Sequence, residues 1–84
     1  MAKRPKEAYR IDSVEKALRV LEAVDSDSGR PIELGRIIGR TGFSRDFCMR
    51  SLATFELNGY VTALDRNRWI YGPRLLKLIA GKQV

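Results

Sequence analysis

The sequence predicts a mainly α-helical domain that carries one small β-hairpin, and three observations predict it. Apolar residues recur at three- and four-residue spacing in four separate stretches, the helical period. A sharp glycine-containing break, Thr41-Gly42-Phe43-Ser44, stands between the second and third of them. Two runs rich in β-branched and aromatic residues, Tyr60–Leu64 and Arg68–Tyr71, flank the polar turn Asp65-Arg66-Asn67. With 84 residues the chain has room for one domain, divided into a basic arm over 1–11, the folded unit over 12–80 and a frayed tail over 81–84.

The first helix is predicted over roughly 13–25. Asp12 and Glu15 have the spacing of a capping box, and Val14, Ala17, Leu18, Leu21 and Val24 form one apolar stripe. Asp25-Ser26-Asp27-Ser28-Gly29 ends it as a loop. Pro31-Ile32 is too short for more than an edge strand or an extended lead-in.

Leu34, Ile37 and Ile38 define a short second helix over roughly 33–40. Its Gly35 and Gly39 are poor helix residues, which is consistent with another backbone passing close by. In the break, Gly42 suits a left-handed conformation, Phe43 the core, and Ser44 the N-cap of a third helix over roughly 44–58.

That third helix turns Cys48, Leu52 and Phe55 inward and Asp46, Arg50 and Ala53 outward, with Phe47, Met49 and Leu57 flanking. Asn58-Gly59 closes it. After the hairpin, Gly72-Pro73 leads into a last short helix with Leu75, Leu76, Leu78 and Ile79. The whole order is that of a winged helix-turn-helix: helix, short helix, glycine turn, longer helix, then a two-stranded wing.

Charge narrows the function classes. Eleven Arg and five Lys against ten Asp and Glu give a net charge of +6. The net is +3 over 1–10, −3 over 11–27, +2 over 28–58 and +4 over 59–84, so the surface is polarised. Such asymmetry favours nucleic acid as a partner over uniformly solvated charge. With no histidine and a single cysteine, a His/Cys zinc site, a Ser-His-Asp triad and an internal disulfide are excluded. No cofactor or metal and no enzymatic activity is expected. Neither a membrane-spanning run nor a secretory signal is readable, and the expected location is cytoplasmic, on the nucleoid.

Block by block, the sequence resembles the N-terminal DNA-binding domain of the IclR family of bacterial transcription regulators. The resemblance runs through Ile11–Ala23, Thr41-Gly42-Phe43, Arg50–Glu56, Gly59-Tyr60-Val61 and Gly72–Leu78. It implies a winged helix that docks its third helix in the major groove of double-stranded DNA, usually as a homodimer on a palindromic site. Arg50 falls on the family's helix-3 arginine, and Arg68 on the basic residue after the wing turn. Arg45 stands where the family often has lysine, and Asp46-Phe47 where it often has two small hydroxyl residues.

Family members normally continue into an effector-binding domain. With no such segment here, the sequence is read as a free-standing small regulator of phage or bacterial type, or an excised domain.

The expected DNA contacts are Arg40, Ser44, Arg45, Asp46, Phe47, Met49, Arg50 and Thr54 around the third helix, and Arg66, Asn67 and Arg68 at the wing. Arginine suits bidentate contacts with phosphate and guanine, and Phe47 or Met49 could touch a thymine methyl. The alternatives are a protein-interaction module on the same scaffold, kept open by Asp46 and Phe47, and a structural role on DNA without sequence preference. Cys48 is read as a packed small hydrophobe, and Trp69 and the tyrosines as wing and core packing.

Overall fold

The computed structural model describes residues 5–25 and 29–81; the start of the basic arm, the middle of the 25–29 loop and the end of the tail lie outside the described residues. A 3-10 turn at Lys6–Tyr9 leads into α1, Asp12–Ala23. The Asp12–Glu15 capping box is not formed. Ile11 occupies the N-cap and offers no side-chain acceptor. Asp12 is already helical and pairs with Lys16 at 3.4 Å, while Glu15 turns back to Arg10 at 3.0 Å.

The buried face of α1 also differs from the stripe read from the sequence. Val20, Ala23 and Val24 are buried, Ala17 and Leu21 are half-buried, and Val14 and Leu18 stand about half exposed. A helix advances 100° per residue, so the rows 14-18-21 and 17-20-24 overlap on one side of the cylinder. Packing against α2 and α3 selects the second row.

β1, Ile32–Glu33, runs directly into α2, Leu34–Thr41, whose Leu34 and Ile37 are buried. Gly42 takes φ +74°, the left-handed region that favours glycine, and its N–H caps the helix on Ile38 O at 2.8 Å. Ser44 Oγ then accepts from Phe47 N at 3.1 Å, opening α3, Arg45–Leu57. Cys48, Ser51 and Leu52 form the buried side of α3, and Phe55 packs against the core from its edge.

β2, Val61–Asp65, and β3, Arg68–Tyr71, form the hairpin, and β1 joins its other side, giving the antiparallel order β1-β3-β2. The short extended lead-in is thus an edge strand, with Ile32 opposite Trp69 and Glu33 opposite Arg68. A bulge between Ala63 and Asp65 shifts the register at the wing end. α4, Pro73–Ala80, packs only loosely: Leu76, Leu78 and Ile79 remain about half exposed.

The core is continuous through the three-helix unit and the sheet: Val20, Val24, Ile32, Leu34, Ile37, Cys48, Leu52, Val61 and Trp69. Each fully buried aliphatic side chain there contributes about 1.5–3 kcal/mol by leaving water. Two distant side chains fasten the C-terminal end of α1, where helical carbonyls lack partners of their own. Tyr71 Oη donates to Leu21 O at 2.9 Å, and Arg40 Nη1 donates to Ala23 O at 3.1 Å and to Asp25 O. Burial holds the Tyr71 hydroxyl above its ordinary pKa, and the nearby Asp25 charge adds to that.

The close backbone approach expected at Gly35 and Gly39 is absent, since open space lies beside both. It occurs at Gly72, where an added Cβ would stand 2.4 Å from Gly59 O. The junction between wing and α4 therefore requires glycine.

Candidate nucleic-acid interface

Burying Cys48, Ser51 and Leu52 necessarily turns the opposite face of α3 to solvent. Arg45, Asp46, Met49, Arg50 and Ala53 occupy that face or its margins, all exposed. Arg45 has no hydrogen bond or ion pair among the described residues. Arg50 lies 3.8 Å from Asp46, one turn earlier, with both side chains 81% exposed. A pair that open and that long contributes little and leaves the guanidinium free to exchange partners. Asp46 in the first turn also complements the helix dipole.

Phe47 is half-buried rather than presented. Its ring meets Phe43 edge-to-face at 5.4 Å, and it lines a groove between α1 and α3 with Ser13, Ala17, Arg50 and Thr54. Thr54 Oγ1 is engaged with Arg50 O at 2.8 Å, and the Ser44 hydroxyl serves as N-cap. Both face solvent at the rim of α3 while doing local structural work. Arg40 is set apart from this group. One nitrogen of its guanidinium donates to the carbonyls that close α1, so it braces α1 against α2.

Arg36, which the sequence reading passed over, projects from the exposed side of α2 with no partner among the described residues. The signal was available: with Leu34, Ile37 and Ile38 inward, helical geometry turns residue 36 outward.

At the wing, the picture drawn from sequence changes. Nε and Nη2 of Arg68 both reach Asp65 Oδ2 at 2.7 Å, while Asp65 Oδ1 accepts from Asn67 N at 2.9 Å. These bonds, led by the one from the Asn67 backbone, hold the Asp65 carboxyl below its ordinary pKa. Asn67 Nδ2 donates to Glu33 Oε2 at 3.4 Å, and Asn67 O accepts from Leu34 N at 3.2 Å. β1 thus brings an acid beside a tip that looked basic in sequence. Glu33 and Asp65 balance Arg66 and Arg68, and only Arg66 is without a partner among the described residues. Glu33 carried no sequence signal, because its pairing with Arg68 spans the whole helix-turn-helix.

Among the described residues no group of three or more acids or cysteines could hold a metal ion, and no helix is long and apolar enough to cross a membrane. The fold resembles solved structures closely. An IclR transcriptional regulator from Alicyclobacillus acidocaldarius superposes with a TM-score of 0.73 at 33% identity, covering 86% of this chain and 29% of that one. A Rhodococcus sp. RHA1 protein assigned as a transcriptional regulator matches with a TM-score of 0.71 at 25% identity, covering 87% of this chain and 28% of its own. The present chain spans less than a third of either. No protein-family model and no curated protein matches the sequence.

Proposed function

With the chain carrying a winged-helix domain of the IclR type, we propose that it binds double-stranded DNA as a sequence-specific regulator of transcription. The observation that carries this reading is the exposed face of α3, on a helix packed from behind through Cys48, Ser51 and Leu52. There Arg45 is unpaired among the described residues and Arg50 has only a long, open contact to Asp46. The major groove admits one helix, and such a face offers it bidentate donors with the small Ala53 between them and the helix end. Arg36 on α2 and Arg66 at the wing flank α3 and supply phosphate or minor-groove contacts. Ser44, Asp46, Met49 and Thr54 surround the two arginines and set the shape of the reading surface, with the half-buried Phe47 at its margin.

The domain acts as a homodimer on a two-fold site. The exposed apolar residues Ile11, Val14 and Leu18 on one side of α1, and Leu76 and Ile79 on α4, support that association. A dimer places two copies of α3 about one helical turn of DNA apart.

Retardation of duplex DNA across a salt series tests the core of the proposal. About four to six phosphate contacts make log K fall with log salt at about 0.9 per contact. Selection of bound sites from a random duplex pool should then return a palindrome. An affinity that is flat in salt removes DNA as the partner, and steep binding without a recovered motif leaves a structural role on DNA.

A further inference from the structure

The wing holds two arginines two residues apart, yet the structure treats them oppositely. Arg68 gives two of its nitrogens to Asp65 Oδ2 at 2.7 Å, so its charge is met within the hairpin itself. Its side chain is about half exposed, and leaving Asp65 would free an oxygen that now accepts two short charge-assisted bonds. Arg66, one of the two residues linking the paired Asp65 and Arg68, has no such anchor among the described residues.

The turn between them is fixed from three directions. Asp65 Oδ1 holds Asn67 N, Glu33 holds the Asn67 amide, and Leu34 N holds the Asn67 carbonyl. That last bond ties the tip of the wing to the first residue of α2, inside the helix-turn-helix itself. The wing tip is therefore pre-organised relative to α2, and a pre-organised side chain loses less entropy on binding.

Resting on the DNA-binding reading above, we propose that Asp65 is a positioning residue of the wing. It withdraws Arg68 from DNA and orders the turn, so that Arg66 is the single wing cation that enters the groove. A narrow A·T-rich minor groove, with its concentrated negative potential, is the site such an isolated arginine fits.

The test compares single and double variants on two short duplexes, one A·T-rich and one G·C-rich, each over a salt series. Arg66→Ala should make the salt slope shallower by about 0.9 and abolish the A·T preference. Arg68→Ala should leave the slope as in the parent protein. Asp65→Asn should release Arg68, steepen the slope by up to about 0.9 and lower the A·T to G·C affinity ratio several-fold. Asp65→Asn combined with Arg68→Ala should restore the parental slope, because the added contact is Arg68 itself.

Equal flattening by Arg66→Ala and Arg68→Ala overturns the proposal. So does a steepened slope that persists in the double variant, which marks a general charge effect. Thermal melts accompany each variant, and the Arg66 against Arg68 comparison decides alone if Asp65→Asn melts below the assay range. Failure of the DNA-binding reading looks different: the parent protein itself would show no salt-dependent retention of either duplex.

Discussion

α1 and α3 are neighbouring helices of 12 and 13 residues, packed on each other through the same core, and they handle charge in opposite ways. On α1 the cations are matched: Lys16 to Asp12 at 3.4 Å and Arg19 to Glu22 at 3.3 Å, with Glu15 taking Arg10 from the arm. On α3, Arg45 is unmatched among the described residues and Arg50 has only the long contact to Asp46. The helices also begin differently, α3 on the Ser44 cap and α1 on Ile11, whose side chain accepts nothing. Two helices of nearly equal length in one core thus differ in kind: α1 has its charges matched, and α3 leaves its arginines largely unmatched. Net charge on the whole chain does not reveal that division. The pairing of individual side chains does.

The sharpest way to break the comparison is to remove what both helices share. Leu52 is fully buried where α3 meets the core, and Leu52→Ala should cost about 2–5 kcal/mol, read as a lower denaturant midpoint. A loss below about 1 kcal/mol would mean that the interface collapses easily around the cavity.

Next in size is Arg50→Ala. It should weaken specific DNA binding by about 1–3 kcal/mol while leaving stability within about 0.5 kcal/mol of the parent. An unchanged affinity with an intact fold would place the DNA on another face.

The caps give a smaller and two-sided test. Ser44→Ala should destabilise by about 1 kcal/mol, and Ile11→Ser should stabilise by a comparable or smaller amount, both measured by thermal melting. If Ile11→Ser destabilises instead, the exposed isoleucine is packed in solution, as an α1-mediated dimer requires.

Smallest is Arg19→Ala on α1. Its pair with Glu22 is exposed, so stability should change by less than about 0.5 kcal/mol, and DNA affinity should move only through net charge. A large affinity loss there would erase the distinction between the two helices.

Much of this architecture is legible in the residues because local chemistry dictates it. Gly42, Ser44 and the spacing of Cys48, Leu52 and Phe55 define the turn, the cap and the inner face of α3 without outside help. The hairpin follows equally from Tyr60–Leu64, the polar turn and Arg68–Tyr71. One reading changed for a local reason, since Asp12 and Glu15 pair with Lys16 and Arg10 instead of capping α1. The others changed because of partners distant in sequence. Val14 and Leu18 lie on a row as regular as the one that packs, and only the placement of α2 and α3 chooses between them. Gly35 and Gly39 look like sites of close approach, but the chain crosses at Gly72, decided by where the wing returns to α4.

The sequence by itself determined the order of elements, the glycine break, the capped third helix and the concentration of arginine after residue 28, because each depends on residues within about one or two helical turns. Tertiary structure decided which cations are free. Arg40 and Arg68 are the same residue type as Arg45 and Arg66, and nothing in composition separates them. Folding carries Arg40 to the carbonyl end of α1 and sets Glu33 beside the tip where Asp65 holds Arg68, satisfying groups that would otherwise stay unpaired. A guanidinium is committed by the acceptors that the fold brings to it, and those acceptors come from anywhere in the chain.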